Sequence, residues 1–127
     1  MSFTLDMQKG DGVLLFTSYG RLRNLQDLLD YISAIMRECE RHDGECILLD
    51  ERELALSLTL QDMFIFAEEK AIDLRFGLDN KCVSVCSRDN MELMDAGALF
   101  LRNRNIEFKV FPDMGAAREW LAVLAHG

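Results

Sequence analysis

Residues 48–63 read LLDERELALSLTLQDM, a strand that hands the chain over to a helix, and the fold class turns on how often that junction recurs. Leu48 and Leu49 belong to the apolar run CILLD, residues 46–50, short and unbroken as a strand buried on both faces is. Beyond Thr59 the period changes. On a wheel of about 100° per residue, Leu60, Met63, Phe64, Ala67, Ala71 and Leu74 share one face, so a helix is expected from about Thr59 to Leu74. The charges between the two elements, Glu51-Arg52-Glu53, read as a solvated loop.

Two hydroxyls precede that helix. Thr59 with Asp62 makes a T-x-x-D pattern, in which the threonine oxygen accepts a backbone N–H of the first turn. A phosphate on Ser57 or Thr59 would gain from the same helix dipole. Helix start and regulatory switch both remain open readings.

The strand-to-helix junction recurs along the chain. FTLDMQ places Phe3, Leu5 and Met7 on one face of an amphipathic strand, Gly10-Asp11-Gly12 makes a turn, and VLLFTSY (13–19) is apolar on both faces. Gly20 closes that strand. Leu25, Leu28, Leu29, Ile32, Ile35, Met36 and Cys39 then recur at helical spacing behind an Asn24 N-cap, with Asp27 in the capping-box position, and Gly44 ends the segment. A turn at 77–80 leads into the strand KCVSVC (81–86), and a further helix starts near Asp89 with Glu92 in the capping-box position and Met94, Ala98 and Leu101 on one stripe. The strand IEFKVF (106–111) alternates, so one of its faces reads as wet. Asp113 caps a last helix whose inner face carries Ala117, Trp120, Leu121 and Leu124.

The order is ββαβαβαβα, an α/β fold with parallel pairing through right-handed crossovers. The apolar strands 13–19 and 46–50 belong at the centre and the alternating strands 3–8 and 106–111 at the edges, with Leu15, Leu48, Val83 and Trp120 in or against the core.

With 127 residues, residues 1–127 form one domain that buries about two thirds of its unfolded surface. A formal charge of -8 argues against nucleic acid and anionic membrane surfaces, which reward clustered Lys and Arg. It suits a cytosolic protein that works through other proteins. MSFTLDMQK lacks the basic and apolar regions of a secretory signal, and no apolar stretch approaches the ~20 residues of a membrane span. Cys82 and Cys86 are spaced C-x3-C, and the histidines are His42 and His126 alone. The expectation is four reduced thiols with no disulfide, metal or cofactor. No G-x-S-x-G elbow, P-loop or H-E-x-x-H supports an enzyme.

GRLRNLQDL (20–28), CILLDER (46–52) and above all IEFKVFPDMGAAREWL (106–121) resemble the SpoIIAA-like branch of the STAS family, over roughly residues 3–124. The resemblance implies a βα superhelix on a mixed five-stranded sheet, and a domain that binds partner proteins rather than catalyses. It also implies a phosphorylatable serine at the start of the helix after the third strand, which falls at about Ser57 or Thr59. The local sequence ALSLTLQD (55–62) carries neither the Asp-Ser pair nor the glycine of that motif.

Other candidate sites follow from position. Ile65 projects opposite the apolar stripe of its helix and Phe66 lies on the flank, an arrangement that suits either burial under a neighbouring loop or helix, or a partner surface or weak homodimer. Arg21 and Arg23 after Gly20 could hold an anion at the next helix start. The rival to a protein-interaction module is a small-molecule or lipid carrier, its apolar pocket between helices and sheet.

Overall fold

Asp11 and Gly12 have positive φ angles of 54° and 75°, the conformation a two-residue hairpin loop demands. They join β1 (Phe3–Gly10) to β2 (Val13–Leu22) as an antiparallel pair. In the computed structural model, residues 2–42, 46–78 and 82–126 are described, the side chains of 75–78 and 124–126 excepted. The readings on Gly44, Asp79, Asn80, Lys81 and the Leu124 side chain lie outside them.

After the hairpin come α1 (Leu25–Cys39), β3 (Cys46–Leu56), α2 (Leu60–Leu78), β4 (Cys82–Cys86), a 3-10 turn (Arg88–Asn90), α3 (Met91–Arg102), β5 (Phe108–Phe111) and α4 (Met114–His126). This is the expected order. The strands lie β1-β2-β3-β4-β5 in one mixed sheet, with β2 through β5 mutually parallel. Strands laid down in sequence, each linked by a crossover of the same hand, must send their helices to the same face. Accordingly α1, α2 and α3 cover one face over Leu14, Phe16, Ile47, Leu49 and Cys82. On the other face α4 buries Ala117 and Leu121 against Leu48, Val83 and Val85, with Leu15 and a half-buried Trp120 packed beside them.

Several boundaries move, each for a local reason. Gly20 does not end β2: its φ of 104° and the close approach of the Ser2 carbonyl leave no room for a Cβ, and the strand continues to Leu22. Arg21 therefore sits on a strand. β3 runs to Leu56, so Glu51-Arg52-Glu53 is strand and not loop. α2 continues through Gly77 to Leu78 instead of stopping at Leu74. Asp89 lies in the 3-10 turn and α3 begins at Met91, where Asn90 makes no side-chain cap and its Nδ2 donates to the Leu54 carbonyl at 3.1 Å. β5 is half-buried on both faces, with Phe108 and Val110 packed under the three-helix layer and Phe111 under α4.

The α4 face gives a direct check. Leu121→Ala is expected to lower stability by about 2–5 kcal/mol as a core truncation, whereas Val123→Ala, at 70% exposure, should stay within about 0.5 kcal/mol of wild type. Urea unfolding measures both. Equal effects would mean α4 does not dock through Leu121.

Candidate functional site

Strands β2 and β3 pair residue for residue until Thr17↔Asp50 and resume at Tyr19↔Glu53. Glu51 and Arg52 thus span what Ser18 alone spans on β2. This is a β-bulge, which re-aims side chains. Alternation places Ile47, Leu49 and Glu51 toward the helices. The extra residue then resets the phase so that Leu54 faces the same way. Arg52 is left outside, where it donates to both oxygens of Asp50 at 2.8 Å, and that pair holds the Asp50 carboxyl below its usual range.

Glu51 is 6% exposed. The Tyr31 hydroxyl of α1 donates to its Oε2 at 2.5 Å, and the Ser84 hydroxyl of β4 donates to its Oε1. Ser18 Oγ lies 2.8 Å from the Tyr31 oxygen. Because Tyr31 commits its own proton to Glu51, Ser18 is the donor in that contact. Burial pushes the Glu51 carboxyl above the usual range, against the two hydroxyl bonds that pull it down. Burial, together with the Glu51 charge, pushes the Tyr31 hydroxyl well up.

Through Tyr31 and Glu51 this network forms a polar spot in the wall of a mostly apolar cavity of about 70 Å³ between the three helices and the sheet, which Asn90 and Glu107 also line. Leu28 and Ile35 of α1, Met63 and Phe66 of α2, and Met94 and Leu101 of α3 form much of the rest. Cys82 and Cys86 also border it. All four cysteines are buried and free. Burial pushes the Cys39 and Cys86 thiols up to about 11 and about 12 and Cys82 higher than its ordinary value, so none of these three is an activated nucleophile. Among the described residues no group of His, Cys, Asp and Glu is placed to hold a metal ion, and no helix is long and apolar enough to cross a membrane.

A second locus lies where α2 begins. Thr59 Oγ1 accepts the Asp62 N–H and the Asp62 carboxylate accepts the Thr59 N–H, both at 3.0 Å. That is a reciprocal capping box. Ser57, exposed, accepts a hydrogen bond from Arg21 Nη1 at 2.7 Å. Two of the residues singled out in the sequence thus meet. Arg23 does not join them: it pairs with Asp27 at 2.9 Å, and its hydrogen bonds hold that carboxyl at about 2. Arg21 and Arg23 are thus each engaged with a different partner.

Further along α2 the apolar surface differs from expectation. Phe66 is 5% exposed and belongs to the core, while Leu60 at 57%, Phe64 at 44% and Ile72 at 67% are outside. The inward direction runs through Met63, Phe66, Ala67 and Leu74, because α2 is wedged between α1 and α3 and buries both flanks. Ile65 stays half-exposed. Phe64 meets Phe100 of α3 edge to face at 5.4 Å, and Arg104 stacks over the Phe64 ring at 5.0 Å.

No family model matches the chain, and no curated protein matches it. Among solved structures it is similar to an anti-sigma factor antagonist from Mycobacterium paratuberculosis, at 14% identity over 95% of both chains with a TM-score of 0.62. It is also similar to an uncharacterised protein with a SpoIIAA-like fold from Shewanella loihica, at 21% identity over 94% of both chains with a TM-score of 0.49. The first likeness establishes the fold: the chain has the SpoIIAA-like architecture, a five-stranded mixed sheet with four helices.

Two measurements check the site. Glu51 has a raised folded-state pKa, so its contribution to stability is full below the ordinary glutamate pKa and is lost as pH rises through the raised value. Its titratable neighbours are Tyr31, Cys82, Cys86 and Asp50. Glu51→Gln should therefore gain relative to wild type as pH rises above the ordinary glutamate value of about 4.3, read by urea unfolding. A difference independent of pH would contradict a buried titrating acid. Separately, Thr59→Ala should cost about 0.5–2 kcal/mol as a lost cap, with Ser57→Ala within about 0.5 kcal/mol of wild type.

Proposed function

We propose that this chain is a non-catalytic, regulatory protein-interaction domain whose partner docks at the start of α2. The observation that carries the reading is the exposed Arg21–Ser57 hydrogen bond beside the capped helix end, with Leu60 and Phe64 exposed on the next turn. Charge, an exposed hydroxyl and apolar side chains on one patch suit a protein partner better than they suit chemistry. The likeness to an anti-sigma factor antagonist supports the same class of role. A cytosolic setting goes with it.

Of the two hydroxyls, Ser57 is the better regulatory candidate. Thr59 spends its oxygen on the Asp62 N–H, whereas Ser57 accepts from a guanidinium that would also pair with a phosphate. Modification there would place a doubly charged group on the patch without removing the helix cap.

Self-association is a further use of α2. Ile65 and Ile72 both face away from the buried stripe, and each apolar side chain removed from water contributes about 1.5–3 kcal/mol. Association entropy and the nearby Glu68 and Glu69 oppose this, so a weak dimer is the expected product. The apolar cavity of about 70 Å³ supports a second reading, a carrier of small molecules.

Affinity capture with tagged protein tests the first reading. Wild type should retain a partner that Leu60→Asp loses and Ser57→Asp alters, both variants keeping their circular dichroism. Identical capture by all three would sink the patch. For the dimer, sedimentation equilibrium should show a concentration-dependent mass that Ile65→Asp with Ile72→Asp abolishes. A wild type monomeric at its highest concentration removes the dimer, and a mass that survives the double change moves the contact elsewhere.

A further inference from the structure

Glu51 is a buried acid that borders an apolar cavity and, among the described residues, has no positive partner. A carboxylate offers about four acceptor sites, and Tyr31 and Ser84 use one on each oxygen. Both donors are neutral hydroxyls. Among the described residues the buried polar or charged side chains are Ser18, Asp27, Glu51 and Ser84, and none of these is a cation. The charges that act on this region, Asp50 on Glu51 and Asp95 on Cys86, are negative as well.

The direction of the protons adds to this. Ser18 donates to Tyr31, Tyr31 donates to Glu51, and Ser84 donates to the other oxygen. Every hydroxyl in the network aims its hydrogen toward the carboxyl, the arrangement that serves an anion. Burial without a counter-charge works the other way and favours the acid. A positive group brought to the cavity wall would remove that conflict, and the remaining lone pairs would receive its N–H donors.

We infer that the cavity between α1, α2, α3 and the sheet binds a small alkyl primary amine in its ammonium form, with the nitrogen on Glu51 and the chain against the apolar wall. This rests on the carrier reading and names its ligand class. The volume of about 70 Å³ is under half that of an engineered cavity of about 150 Å³ that takes benzene, so only a short unbranched chain fits. Where Glu51 is in its acid form, binding the ammonium expels the carboxyl proton to solvent, one proton for each ligand bound.

The test uses two probes of equal chain length, n-butylammonium chloride and 1-butanol, titrated at neutral pH into isotopically labelled full-length protein and followed by NMR at the Leu49, Leu54 and Ser84 amides. Butylammonium should bind about ten- to hundredfold tighter than butanol, the difference expected of hydrogen bonds to a charged group. Glu51→Gln should bring butylammonium down to the level of butanol. The comparison of the two probes on wild type stands even if that variant fails to fold. Equal binding of both probes to wild type overturns the amine inference and leaves a neutral carrier. Binding of neither, or shifts confined to surface carboxylates, overturns the inference and the carrier reading together.

Discussion

The burial of one carboxyl group, Glu51, organises the layer between helices and sheet. Its hydrogen bonds draw on α1 through Tyr31 and on β4 through Ser84, and Ser18 of β2 completes the chain. Four elements are thereby held to one polar point inside an apolar interior. The arrangement is unforgiving. A buried donor or acceptor left without its partner costs about 1–3 kcal/mol, so loss of any one member exposes the others to that penalty. Such a network contributes less net stability than an apolar core of the same shape, and its value lies in fixing a single register of β2, β3 and β4.

The bulge at Glu51-Arg52 makes this possible. Without the extra residue, a strand with Ile47 and Leu49 facing the helices would turn Leu54 to the opposite face. With it, the helix face of β3 carries Ile47, Leu49, Glu51 and Leu54, and the strand can remain in the sheet as far as Leu56. The same extension delivers Ser57 to Arg21 at the end of β2 and sets Thr59 at the start of α2. The interior site and the exposed patch are therefore two consequences of one strand, the first on its inward side and the second at its end.

Much of the fold was legible in the sequence. The order of elements followed from the alternation of short apolar runs with helical stripes, and the edge positions of β1 and β5 from their alternating patterns. The caps at Asn24, Thr59 and Asp113 were readable because capping is a local matter of a few residues. The site was not. Glu51 sits in the most charged part of its segment, and a run of three charges looks like solvent-facing loop until the bulge is known. Its partners gave only a weak signal, a tyrosine in phase with Leu28 and Ile35 and serines in phase with Phe16 and Cys82. On α2 the wheel was drawn about too narrow a stripe. A helix flanked on both sides by other helices buries a broad arc, which took Phe66 inside and left Leu60 and Phe64 at its margin.

The titration of the Glu51 side-chain carbon, followed by carbon NMR in selectively labelled protein, tests the central claim most directly. A carboxyl shielded from water and held by Tyr31 and Ser84 should titrate above the ordinary glutamate value of about 4.3, and the Tyr31 ring signals should move with it. A carboxyl that titrates at the ordinary value while Tyr31 remains unmoved would mean that Glu51 faces solvent and that the interior network does not exist.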